Sequence, residues 1–85
     1  MTKRSIQIKL ENGLEARPVA LLVQEASKYE SAVYLEAAGK RINAKSLIGM
    51  MSLGLVSGEE LVVSADGEDE QDAVANIEKF LSGEV

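Results

Sequence analysis

Apolar and polar residues alternate at the start of the chain, with Ile6, Ile8 and Leu10 on one side and Ser5, Gln7 and Lys9 on the other. That two-residue period predicts a half-buried strand over residues 5–10, closed by Asn12 and Gly13. The period then changes. From Ala16 to Ser27, the residues Val19, Leu22, Val23 and Ala26 fall at i, i+3, i+4 and i+7, the stripe of an amphipathic helix. Pro18 lies in its first turn, where a missing N–H leaves no intrahelical bond unmade. Alternation returns over residues 32–36 and 40–43, with Ala37, Ala38 and Gly39 as the turn of an antiparallel hairpin. Behind Ser46 comes a short helical run, Leu47 to Met51, ending near Gly54 and too brief to persist without packing. After a turn at Ser57 and Gly58, Leu61, Val63 and Ala65 alternate with Val62 and Ser64 in a fourth strand, which stops at Asp66 and Gly67. The last helix takes Asp69 as N-cap, places Glu70 and Asp72 at its positive end, buries Ala73, Val74, Ile77, Phe80 and Leu81, and stops at Gly83.

The resulting order is β-α-β-β-α-β-α. A four-stranded antiparallel sheet with three helices on one face buries every apolar stripe, so the predicted class is α+β, an open-faced β-sandwich. The other face should be solvated, which suits Gln7, Lys9 and Ser64. A chain of 85 residues has room for one domain, taken as residues 1–85.

Composition narrows the chemistry. Neither cysteine nor histidine is present, which removes disulfides, thiolate metal sites and the commonest general base and metal ligand. Fourteen acidic against nine basic residues give a net charge of −5, unsuited to neutralising nucleic-acid phosphates. The opening residues form no signal-peptide stretch and no run of eighteen apolar residues occurs, so a cytoplasmic protein with no membrane partner is expected. The acidic group Glu68, Asp69, Glu70 and Asp72 lacks calcium-loop spacing, and Gly49 with Gly54 is no phosphate-binding loop. No catalytic residue, cofactor or metal is expected.

Ser46 by itself reads as an ordinary N-cap. The same position also suits a phosphoryl group, which meets free amides and the positive dipole end there. Beside it, Leu47, Ile48 and Met51 cannot all be buried by a short helix on a sheet, which predicts an apolar patch with a charged rim. Met50 is open to either a core or a surface role. Glu15 is well placed as a helix-entry acid, whereas Arg17 opposes the helix dipole, which hints at a contact, although the sequence alone reads it as a solvated surface arginine.

The run Gly13-Leu14-Glu15-Ala16-Arg17-Pro18 resembles the active-centre motif Gly-(Ile/Leu)-His-Ala-Arg-Pro of the phosphocarrier HPr family, with Glu15 in the place of histidine. Asn43-Ala44-Lys45-Ser46-Leu47-Ile48-Gly49-Met50-Met51-Ser52-Leu53-Gly54 resembles the regulatory-serine segment of the same family in low-GC Gram-positive bacteria. Residues 22–27 and 67–70 are also similar, so the resemblance covers nearly the whole chain. It implies an HPr-like open-faced β-sandwich and, with serine kept and histidine lost, a non-enzymatic regulatory phosphoprotein of carbon catabolite repression. The implied partners are HPr kinase/phosphorylase, which phosphorylates Ser46, and the transcriptional regulator CcpA, for which the phospho-form is corepressor. The implied partner face is Glu15, Arg17, Ala20, Leu21, Gln24, Leu47, Ile48 and Met51. Two alternatives stay open: a sugar phosphotransferase carrier working through Glu15, or an HPr whose histidine was replaced. A carboxylate is a poor substitute for imidazole in labile phosphoryl carriage. The resemblance is also compatible with a weak or strand-exchanged homodimer, between which and a monomer the pattern does not choose.

Overall fold

The computed structural model describes residues 1–9, 16–37, 39–53 and 58–82, apart from the side chains of Ala16 and Arg17. Its elements are β1 (Thr2–Gln7), α1 (Ala16–Ser27), β2 (Ala32–Ala37), β3 (Lys40–Asn43), α2 (Leu47–Met51), β4 (Glu60–Asp66) and α3 (Glu70–Leu81). The strands form one antiparallel sheet in the order β1-β4-β2-β3. Register follows the apolar alternation: Ile6 stands opposite Leu61, and Leu35 opposite both Val63 and Ile42. This row meets Val19, Leu22 and Ala26 of α1, Met50 of α2, and Ala73, Val74, Ile77 and Leu81 of α3 in one buried cluster. None of the described helices is long and apolar enough to cross a membrane.

The first strand differs from expectation. It is paired from Thr2 rather than Ser5 and ends at Gln7. Apolar alternation marks which side chains face the core, whereas pairing depends on what the neighbour offers, and β4 is long enough to give Thr2 a mate at Ala65. Ile8 stays buried while Lys9 turns its N–H to the Leu81 carbonyl at 2.8 Å. The strand end expected at Leu10, the turn at Asn12 and Gly13, and the features at Ala38, Gly54, Ser57 and Gly83 lie outside the described residues.

Three side chains also depart from the pattern. Ser64, expected on the solvated face, is fully buried, because β4 is an interior strand and Ser64 lies between the longer side chains of Lys3 and Tyr34. Its hydroxyl has no hydrogen-bond partner among the described residues. Phe80 is only partly buried, since it falls at the margin of the α3 stripe. Asp69 is the N-cap of α3 by position, yet its side chain does not cap that helix.

The Asp69 carboxylate instead accepts the Glu30 and Ser31 amides, each at 3.0 Å, and the Ser31 hydroxyl. It thereby fastens the entry to β2 onto the start of α3. The approach is close enough to demand Gly67, where φ is +156° and a Cβ would come within 2.5 to 2.9 Å of Ser31 atoms. Glu70 accepts the Gly67 amide at 3.3 Å and the Thr2 hydroxyl, which ties β1 to the same corner.

The Ser31 hydroxyl bond holds the Asp69 carboxyl below its ordinary value, with the Glu30 and Ser31 amides adding to the effect. The Thr2 hydroxyl, then the Gly67 amide, do the same for Glu70. A carboxyl lowered in the folded state stabilises fully above its unfolded value, and that contribution is lost as pH falls through the lowered one. The urea midpoint, followed from neutral pH downward, should therefore fall as pH drops below about 4. Asp69→Asn should lower the midpoint at neutral pH and flatten that fall.

Candidate functional site

The polypeptide leaves β3 through a tight turn in which the Asn43 side chain accepts the Lys45 amide at 2.8 Å and the Asn43 carbonyl accepts the Ser46 amide at 3.0 Å. That turn delivers Ser46 in extended conformation, φ −103° and ψ 108°, as the N-cap of α2. Its Oγ accepts the Gly49 amide at 3.2 Å, and its carbonyl accepts the Met50 amide at 2.9 Å. The Lys45 ammonium pins the turn to the segment that follows α1 by donating to the Tyr29 carbonyl at 2.7 Å. The Tyr29 hydroxyl donates to Glu25 at 2.8 Å and accepts from the Asn76 amide at 2.6 Å, joining α1 to α3. Burial, then the bond to Glu25, raises the Tyr29 phenol above its ordinary value.

A helix of five residues presents one side to the core, and Met50, fully buried, takes it. The other side chains are left outside: Leu47 is 44% exposed, Ile48 85% and Met51 54%. Leu47 and Met51 are four residues apart and Ile48 and Met51 three, so they share a surface. Helix α1 packs against α2 and adds Leu21, 47% exposed, with Gln24 exposed and Ala20 half-buried. The expected serine and apolar residues are thus brought onto two neighbouring helices. Glu15 and the Arg17 side chain lie outside the described residues.

The serine hydroxyls are not equivalent. Ser27 and Ser52 donate to the Val23 and Gly49 carbonyls at 2.7 and 2.6 Å, Ser82 donates to the Lys79 carbonyl at 3.2 Å, and Ser31 donates to Asp69. Ser46 Oγ accepts the Gly49 amide and donates to none of the described residues, which leaves its hydrogen for an outside base. Sequence reading missed the parts played by Lys45, Tyr29 and Gly49. The bonds from Lys45 to Tyr29 and from Asn76 to Tyr29, and the closeness of Ile42 to Gly49, join separate elements, and no local spacing signals them.

A 1-4-2-3 antiparallel sheet with helices packed on it and a serine heading the short middle helix defines an HPr-like open-faced sandwich. Residues 2–83 match the family model described as the PTS HPr component phosphorylation site, and the chain belongs to the HPr family. It is 45% identical to the HPr-like protein Crh of Bacillus subtilis over 85 residues, the full length of both chains. The crystal structure of HPr from Bacillus anthracis is similar at TM-score 0.92 and 36% identity, covering 94% of this chain and 95% of that one. The crystal structure of Bacillus subtilis Crh, a dimer with a swapped domain, is similar at TM-score 0.80 and 45% identity, covering 100% of this chain and 98% of that one.

The two adjacent methionines should separate cleanly in stability. Met50→Ala should cost about 2 to 5 kcal/mol in urea unfolding because it opens a core cavity. Met51→Ala should stay within about 0.5 kcal/mol of the parent.

Proposed function

We propose that this protein is a regulatory phosphoprotein of carbon catabolite repression, neither an enzyme nor a phosphoryl carrier. In this reading HPr kinase/phosphorylase transfers a phosphoryl group to Ser46, and the phospho-form docks as corepressor on a CcpA-type transcriptional regulator. The chain works in the cytoplasm as one domain spanning residues 1–85, without cofactor or metal and without touching nucleic acid itself. The observation that carries the reading is the placement of Ser46: an exposed hydroxyl that keeps its hydrogen, beside three exposed apolar side chains. Similarity to the Crh proteins supports the repression role.

Phosphorylation adds a charge of about −1.5 to −2 and strong acceptor oxygens, which an arginine-bearing partner meets with charge-assisted bonds. Leu21, Leu47, Ile48 and Met51 supply the apolar centre of that contact, with Glu15, Arg17, Ala20 and Gln24 around it. Carrier chemistry is disfavoured because the chain has no histidine.

Incubation with ATP and the family's kinase, followed by intact-mass and peptide mapping, should place one phosphoryl group on Ser46. Ser46→Ala should take none and lose the regulator, while giving up at most about 1 kcal/mol of stability with the cap. Ile48→Ala should weaken regulator binding by the phospho-form about tenfold, or about 1.4 kcal/mol. A parent chain left unmodified by the kinase defeats the proposal. Label appearing on Glu15 after treatment with phosphoenolpyruvate and the family's first transport enzyme would restore the carrier reading.

The swapped Crh dimer supports a further element, a strand-exchanged homodimer. Strand β1 lies at the sheet edge, where a second copy could supply the same pairing to β4. Light scattering over a concentration series should reveal a dimer, and a monomer at every concentration rules it out.

A further inference from the structure

Gly49 stands in the middle of a five-residue helix, where glycine is a weaker helix former than alanine. Its surroundings explain why a side chain is missing. A Cβ at this position would lie 3.0 Å from Ile42 Cγ2, 3.2 Å from Ser46 Oγ and 3.6 Å from Ser46 Cβ. The Gly49 backbone is engaged at both ends, its N–H by Ser46 Oγ at 3.2 Å and its carbonyl by the Ser52 hydroxyl at 2.6 Å. A methyl at this position therefore fits only if Ile42 or the Ser46 side chain gives by a few tenths of an ångström, while the two bonds hold the backbone in place.

We propose that Gly49 is the positioning residue that keeps the Ser46 oxygen open to phosphoryl transfer, an inference that rests on Ser46 being the phosphoryl acceptor. In that step Ser46 Oγ forms a bond to the γ-phosphorus of ATP. The bond from that phosphorus to the β,γ-bridging oxygen breaks, its electron pair leaves with ADP, and the hydroxyl proton passes to a base of the kinase. The entering phosphorus needs a clear line to Oγ, and its three remaining oxygens need room around that atom afterwards. One flank of Oγ already holds the Gly49 amide. A methyl 3.2 Å away would close the space beside it. The Ile42 contact is of another kind: it involves a partly buried side chain that can shift, and it governs how α2 sits on β3.

The test measures kcat and KM for Ser46 phosphorylation by an ATP-dependent HPr-family serine kinase, alongside the thermal unfolding midpoint. Gly49→Ala should lower kcat at least about tenfold, with KM unchanged because the exposed side chains of α2 are untouched. The double variant Gly49→Ala with Ile42→Leu removes the Cγ2 contact while keeping the methyl beside Oγ, so it should remain slow. It also carries the test should the single variant prove unstable. A parental kcat in either folded variant overturns the proposal. An unmodified parent chain is a different result, which removes the Ser46 reading and this inference with it.

Discussion

The constraint on which the site depends is the length of α2. Five residues make too little hydrogen-bonded backbone to persist alone, so the helix exists because Met50 anchors it in the core and hydroxyls hold both ends. One anchor means one inward direction. Leu47, Ile48 and Met51 face outward as a result, and the N-cap that starts the helix is also the hydroxyl left on the surface. An apolar patch next to an accessible serine follows from a helix too short to hide its own side chains.

The start of α3 uses polar groups internally. Asp69 and Glu70 sit where sequence alone suggests a capped helix start in an acidic cluster, yet both carboxylates are occupied by the chain itself, at Ser31, Glu30, Gly67 and Thr2. Those bonds join β1, β2 and α3. The Tyr29 hydroxyl then relates α3 to α1, and Lys45 ties the Tyr29 carbonyl to the turn that carries Ser46. The serine therefore stands on a turn braced from two sides.

Much of this was legible in the sequence, and the exceptions share a cause. The bounds of α1 and β3 and the start of α2 follow from the sequence pattern, because helical and hairpin hydrogen bonds run between residues close in the chain. Ser46 as an N-cap was legible for the same reason, its partner being three residues away. Strand β1 began earlier than its apolar alternation, and Ser64 went from solvated to buried, because both are decided by neighbouring strands that the local pattern does not identify. Asp69 has the right type and position for a cap, but Ser31 and Glu30 come within reach only when β2 folds against α3. Gly49 belongs to the same group, since its lack of a side chain is explained by Ile42 on β3 as well as by Ser46.

The ammonium of Lys45 has an electrostatic consequence. It is the cation next in sequence to Ser46, and it is held at the Tyr29 carbonyl. A dianion on Ser46 would take the chain from −5 to about −7. The field of the added group then extends into solvent, over about 8 Å at physiological ionic strength. Encounter with a cationic surface becomes faster and more sensitive to salt than contact between the apolar residues alone would make it.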